Sequence, residues 1–351
     1  MGFQDVKKIS IRDVAALAGV SVGSASRVLN NAPNVTEDVR VKVERAVSVL
    51  QYRPNHAAQS LRSQTSKTIG CLFSDVSNPL YARAFRALEG CFRPDGYMLL
   101  LSNGLNDPER EIEILRTFQL RGMDGVIIAP GNERHAEVLD AVNRLSMPVV
   151  IYDRDMAVDC DAILLDHFNG VKTAVKHLIS LGHQRIGIAL WHGHSRPVRR
   201  RLAGYKAAFR ELGLDVPNLI MQEATSTSSV FEDMMQTLRS DEPPTAMIVQ
   251  GTYTLISALR AISRMGLRVP ADISVIALGD TEFAQTYDPP LTALRTPIEQ
   301  IAQKARLLLL ERINGRRGND DADHIGTAPT KELIPYEFIV RESCAPPGGA
   351  G

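Results

Sequence analysis

The chain is 351 residues long, 44% hydrophobic and 23% charged, which fits two or three globular domains and excludes a disordered, collagen-like or disulfide-framework protein. Forty basic residues balance forty acidic ones, so the whole-chain charge points to no partner. Its distribution does: residues 1–68 hold ten Lys/Arg against five Asp/Glu, a net +5, which leaves −5 for the remainder. A small basic module on a larger acidic body is the charge pattern of nucleic-acid binding at the N-terminal end.

In chain order, Ser10 is the expected N-cap of a first helix, with Asp13 three residues on as a short relative of the capping-box acid. Ile11, Val14, Ala15 and Ala18 recur on one helical face. Gly19 suits the left-handed residue that ends such a helix, and Ser21 can cap a second, from about Val22 to Asn30, that buries Ala25, Val28 and Leu29. Two short helices around a tight Gly turn predict a helix-turn-helix, whose second helix enters the DNA major groove. An ordinary helical hairpin is the other reading, and the basic charge favours the first. A third helix is expected after Thr36 as cap, with Glu37 and Asp38 at its positive end and Val39, Val43, Ala46, Val47 and Leu50 facing inward. The stretch HAAQSLRSQ, with Asn55 as its cap, can form a helix too short to be stable alone and reads as a linker that orders on binding.

From residue 69 the pattern becomes α/β. Short continuous apolar runs occur at Ile69–Phe73, Met98–Leu101, Gly125–Ala129, Val149–Tyr152, Ala162–Leu165, Ile186–Leu190, Ala246–Val249, Ser274–Leu278 and Leu291–Leu294. They read as parallel strands covered on both faces, separated by amphipathic helices such as Tyr81–Phe92 and Glu109–Leu120. TIGCLF and RIGIAL echo each other and open two similar halves, which would leave a ligand cleft between their strand ends. The apolar face from Ile298 to Ile313 reads as core, and the tail CAPPGGAG carries no heptad. Four scattered cysteines read as buried free thiols, and His192 and His194 are unconvincing as a metal pair, so neither metal nor cofactor is expected. With no membrane-length apolar run and no signal-peptide pattern, a cytoplasmic protein without membrane partners is expected.

The segments DVAALAGVSVGSASRVLN, YRPNHAAQSLRS and TIG, in that order and spacing, closely resemble the LacI family of bacterial transcription regulators. The resemblance runs to about residue 343 and implies a three-helix DNA-binding headpiece (1–54) and a hinge helix (55–66). It further implies a two-lobed periplasmic-binding-protein-like core (67–343) and, beyond it, a flexible tail (344–351). The chain would cross between lobes near 166, 295 and 325, giving a first lobe of 67–165 plus 296–325 and a second of 166–295 plus 326–343. A homodimer on a near-palindromic double-stranded operator is implied, as a regulator and not an enzyme.

By the same resemblance, Arg27 is the guanine-reading arginine of the recognition helix, flanked by Ser24. Ser21, Ser26, Asn30 and Tyr52 take phosphate or framing positions. Asn55, Ala58, Leu61 and Arg62 belong to the hinge, where Leu61 would wedge into the minor groove. Val22 and Gly23 depart from the family, which often carries larger polar readers there.

In the cleft the expected effector-binding residues are Asp75, Asn78, Tyr81, Asp153, Arg154, Arg201, Gln250 and Asp280, all at strand ends or helix starts. Asp75 and Asn78 can equally be caps, and in the run Arg199–Arg201 only Arg201 is assigned to the cleft. The family's usual Asn-Asp pair is Gly251-Thr252 here, and its usual Asp-Asp is Gly279-Asp280. Loss of that acid favours a hydroxylated acid or phosphorylated metabolite over a neutral sugar, unless Asp153 neutralises Arg154. The sequence reading is a ligand-responsive repressor of a catabolic operon, as inducible or corepressed. The rivals are control by a protein coeffector or by no ligand, and a plain ligand-binding protein.

Overall fold

A computed structural model describes residues 9–29, 32, 34–52, 65–191, 195–223, 230–317 and 328–348. The chain divides into two compact units after Ser66. Three helices build the first: α1 (Ile11–Ala18), α2 (Val22–Leu29) and α3 (Glu37–Leu50). Asp13 Oδ2 accepts from both Ser10 N (2.8 Å) and Ser10 Oγ (2.7 Å), the cap expected of that pair. Gly19 takes φ 66°, a left-handed turn a β-carbon would strain, and Ser21 Oγ accepts from Ser24 N at 3.0 Å to start α2. Val14, Ala15, Ala25, Val28, Val43 and Ala46 close the small core. Thr36 precedes α3 in extended backbone but, against expectation, its side chain makes no capping bond. The expected hinge helix lies outside the described residues apart from its last two.

The second unit contains two six-stranded sheets. The strands of the first are β1 (Thr68–Phe73), β2 (Met98–Asn103), β3 (Gly125–Ala129), β4 (Val149–Tyr152), β5 (Asp161–Leu165) and β11 (Lys331–Ile334), in the order β11-β5-β4-β3-β1-β2 and all parallel. The second has β6 (Ile186–Trp191), β7 (Ile220–Glu223), β8 (Ala246–Gln250), β9 (Ser274–Leu278), β10 (Thr292–Arg295) and β12 (Glu337–Ile339), in the order β12-β10-β9-β8-β6-β7. The echoed segments thus form strands at matching positions, β1 and β6, of two sheets with one topology. Only β12 runs antiparallel, against β10. Between strands of the first lobe lie α4 (Pro79–Phe92), α5 (Pro108–Leu120) and α6 (Ala136–Asn143). The second lobe holds α7 (His167–Ser180), α8 (Arg196–Glu211), α9 (Phe231–Leu238), α10 (Thr252–Arg264) and the short α11 (Glu282–Thr286). The long α12 (Ile298–Arg317) returns to the first lobe, where Ile298, Ile301, Ala305 and Leu309 enter its core as expected.

Two crossings fall where the sequence places them, after β5 and after β10. The third does not: Lys331–Ile334 pairs with β5, so the chain leaves the first lobe after Ile334 and not near 325. Residues 331–334 therefore belong to the first lobe, and KELI escaped notice because a charged edge strand with two of four residues exposed lacks a continuous apolar run. Edge strand β2 also departs from the two-sided burial expected of it, since Met98, Leu100 and Leu101 are exposed. Residues 344–348 are not a free tail. Ala345 O accepts from Ser274 Oγ at 3.1 Å and lies 2.8 Å from His183 Nε2, which ties the segment to the second lobe. All four thiols are free, but Cys71 alone is buried; Cys91, Cys160 and Cys344 are half-buried. Among the described residues, no helix is long and apolar enough to cross a membrane.

Candidate functional site: a helix-turn-helix surface and an inter-lobe cavity

On the first unit, α2 presents Ser21, Val22, Gly23 and Arg27 to solvent, while Ser24 and Ser26 are half-buried. The guanidinium of Arg27 curls back so that Nε donates to Gly23 O at 3.4 Å. Gly23, with no side chain, leaves that carbonyl uncovered. Tyr52 is half-buried and packs on the core of the unit. Asn30, Asn55, Ala58, Leu61 and Arg62 lie outside the described residues, as do His192 and His194.

In the second unit the C-terminal ends of both sheets face one another across a cavity of about 420 Å³. All eight residues expected there line it: Asp75, Asn78, Tyr81, Asp153, Arg154, Arg201, Gln250 and Asp280. Their availability differs. Asn78 Oδ1 caps α4 by accepting from Leu80 N at 3.1 Å, and Asp75 Oδ1 accepts from Ser77 N at 3.0 Å, so both make the local turns that the capping reading foresees.

Asp153 follows β4 in a left-handed backbone, φ 51°. Its Oδ1 accepts from Leu165 N (3.1 Å) and Arg196 Nη1 (2.9 Å), and Oδ2 lies 2.8 Å from His167 Nε2. The alternative in which the Asp153 carboxylate pairs with Arg154 is not realised, because Arg196 and His167 occupy that carboxylate. Burial drives His167 down to about 4, against the pull of Asp153, so at neutral pH its ring is uncharged. Burial opposes the Asp153 charge, but His167 and Arg196 outweigh it and hold the carboxyl below its ordinary value. The neutral imidazole then donates Nε2–H to Asp153 and accepts at Nδ1 from Tyr336 Oη, 2.9 Å away, which itself accepts from Arg201 Nη2 at 3.4 Å. Every member has one consistent role in this chain, which ties the first and third crossings of the unit.

Arg154 is buried yet touches neutral acceptors: Pro130 O at 2.6 Å, the Asp153 carbonyl at 3.0 Å, Tyr81 Oη at 2.8 Å and Ser74 Oγ at 3.4 Å. Asp280 lines the cavity, but its carboxylate turns away to Arg295 Nε (2.8 Å) and Arg341 Nη2 (2.8 Å). Gly279 has φ 132° and open space where a β-carbon would point, and one on Gly251 would meet the ring of Trp191. Three buried polar atoms of lining residues, Tyr152 Oη, Gln250 Oε1 and Asp280 Oδ1, have no hydrogen-bond partner, and of these only Asp280 Oδ1 has an ion-pair contact, with Arg341 Nη2 at 2.8 Å.

Sequence reasoning missed Arg196, His167, Trp191 and Tyr336. Arg196 stands three residues before the run Arg199–Arg201 and belongs to no motif. Tyr336 became invisible once the third crossing was placed too early. Arg199, which the sequence does not assign to the cleft, reaches across the lobes to Glu133 Oε1 at 2.7 Å. Among the described residues, no group of three or more His, Cys, Asp or Glu is placed to hold a metal ion.

Residues 10–55 match the family model described as bacterial regulatory proteins, lacI family, and residues 175–344 match that of a periplasmic binding protein-like domain. The chain is 32% identical to the HTH-type transcriptional repressor PurR of Haemophilus influenzae strain PittEE over 95% of this chain and 98% of the relative. It is 29% identical to the HTH-type transcriptional regulator DegA of Bacillus subtilis strain 168, over 97% and 99%. A crystal structure of the lac repressor dimer bound to operator and the anti-inducer ONPF superposes with a TM-score of 0.81 at 30% identity, over 97% of this chain and 100% of that one. The helix pair with its capped Gly turn, the twin parallel lobes and these matches converge: the chain belongs to the LacI family of bacterial regulatory proteins, as a helix-turn-helix transcriptional repressor and not an enzyme.

Proposed function

We propose that the protein is a cytoplasmic, ligand-responsive homodimer that represses a catabolic operon by binding a near-palindromic operator. The observation that carries the ligand-responsive part is the inter-lobe cavity, with Tyr152 Oη and Gln250 Oε1 buried on its wall and unpaired. Buried polar atoms nearly always have partners, so two orphans on one cavity wall favour a ligand that supplies them. The contacts that bridge the lobes, Arg196 to Asp153 and Arg199 to Glu133, sit beside that cavity. A ligand that fits one lobe orientation better than another shifts the balance between them, and only by its difference in affinity. The exposed Met98, Leu100 and Leu101 on edge strand β2 suit burial against a second copy.

For DNA, the roles follow the family pattern. Arg27 reads a guanine, Ser21, Ser24, Ser26, Asn30 and Tyr52 frame the backbone, and Val22 contacts a thymine methyl beside Gly23. The hinge residues Asn55, Ala58, Leu61 and Arg62 serve the minor groove. Selection of binding sites from random DNA, followed by gel shift, tests this. Arg27→Ala is expected to cost about 1–3 kcal/mol on the selected operator and to flatten the sequence preference. An equal loss on operator and random DNA would reduce Arg27 to a phosphate contact. Adding metabolites to the same gel shift separates an inducer, which releases DNA, from a corepressor, which tightens it.

A further inference from the structure

The charge on the cavity wall is lopsided once each ion pair is followed to its end. Of the three lining carboxylates, Asp153 is consumed by Arg196 and His167, and Asp280 by Arg295 and Arg341. Asp75, half-buried, holds Ser77 N. Glu133, a second acid near Arg154, is paired with Arg199 and accepts from Asp155 N, and Glu111, a third, accepts from Gly131 N and is pushed towards its neutral form by burial. Three lining cations remain: Arg83 is exposed and donates from Nη1 to the Asp280 carbonyl at 3.3 Å, while two are buried, Arg154 and Arg201, each 8% exposed. Among the described residues neither forms an ion pair with a carboxylate: Arg154 bonds to carbonyls and hydroxyls, and Arg201 to Tyr336 Oη. A buried charge is costly without a counter-charge, and the guanidinium fork matches a planar or tetrahedral oxyanion. The opposite wall adds nothing to oppose an anion, because Gly251 and Gly279 carry no side chain there. Gln250 Oε1, unpaired, is left with its acceptor capacity unused.

We infer that the inter-lobe cavity takes a small hydroxylated organic anion, whose carboxylate or phosphate is held by Arg154 and Arg201 and whose hydroxyls meet Gln250 and Tyr152. This rests on the ligand-responsive reading above. A neutral sugar would satisfy the orphan oxygens but leave both arginines without a counter-charge.

The chain's one tryptophan, Trp191, lines the cavity with its indole Nε1 pinned to Thr254 Oγ1 at 3.0 Å, so its fluorescence reports on this space alone. In the full-length protein at fixed ionic strength, the ratio of iodide to caesium quenching of Trp191 is expected to exceed that of free N-acetyltryptophanamide several-fold, and Arg201→Gln to lower it. A ratio equal to or below that of the free indole would overturn the inference on wild-type protein alone, whether or not the variant folds. D-Glucose, D-gluconate and D-glucose 6-phosphate, which share one skeleton, are then titrated against the same signal. Binding of either anion at least ten-fold tighter than glucose supports the inference, and the two anions distinguish carboxylate from phosphate. Glucose binding as tightly as both overturns it and leaves the regulator reading intact. An anion that binds yet leaves operator affinity unchanged in a gel shift overturns the ligand-responsive reading and leaves this one standing.

Discussion

The two lobes share a strand order but dispose of charge differently where their sheets meet the cavity. In the first, β4 ends on an acid and a base in succession, and they part company: Asp153 is taken by Arg196 and His167, while Arg154 is left among neutral oxygens. In the second, β9 ends on Gly279, which has no side chain, and on Asp280, which turns back to Arg295 and Arg341. At its strand ends the first lobe therefore offers the ligand the guanidinium of Arg154 and the second an amide and bare backbone, with the Arg201 guanidinium added from α8. An acid at a strand end says little about ligand binding until its counter-ions are known.

The largest expected effect separates the two acids. Asp153→Asn removes the carboxylate from Arg196, whose side chain is 7% exposed, and leaves that charge buried and unpaired. A loss of about 3–5 kcal/mol in urea unfolding is expected. Asp280→Asn should cost clearly less, because the side chain of Arg295 is 41% exposed and keeps Glu337 at 3.4 Å. Equal losses from the two variants would show that the second-lobe acid is as deeply committed as the first.

A smaller effect tests the neutral state of His167. Its pKa falls from 6.5 to about 4 on folding, chiefly through burial. The unfolded chain thus takes the proton first as pH falls. The contribution is complete above about 6.5 and is lost as pH drops towards 4, by no more than roughly 3 kcal/mol. His167→Gln, which can still donate to Asp153, should flatten that part of the stability profile. An unchanged slope would mean that the ring is already charged in the folded protein.

Much of this architecture was legible because it depends on local pattern. Nine apolar runs mark nine strands, and Ser10, Gly19 and Ser21 mark the turn of the helix pair through capping chemistry that needs only neighbours in sequence. The cavity residues were legible for a related reason: in parallel sheets, strand ends are where ligands sit. Partners across long sequence separations were not. Nothing local says that Arg196 reaches Asp153 forty-three residues away, or that Tyr336 meets His167 across 169 residues. Edge strands β7, β11 and β12 also escaped, since strands with one free edge need no continuous apolar run.

The smallest expected effect concerns Glu111, which stands on α5 behind the first lobe's cavity wall. It is fully buried; Oε1 accepts from Gly131 N at 2.7 Å and Oε2 has no partner. Burial raises its carboxyl from 4.5 to about 7, outweighing the Gly131 hydrogen bond and the Arg154 charge. Here the folded pKa lies above the unfolded one, so the sign is opposite to that of His167. The stabilising contribution is complete below about 4.5 and disappears as pH rises through about 7. The two groups therefore pull stability in opposite directions over the shared range and partly conceal each other. Glu111→Gln keeps an acceptor for Gly131 N and cannot ionise, so it should leave stability nearly unchanged at pH 4.5 and raise it by about 1 kcal/mol or more above pH 7. Its thermal unfolding, followed from pH 4 to 8, should rise more steeply with pH than that of the wild type, because the His167 contribution then stands alone. A variant that is less stable than the wild type at pH 8 would mean that the Glu111 charge is needed beside Arg154, and that the first lobe keeps an acid for its cavity-facing cation after all.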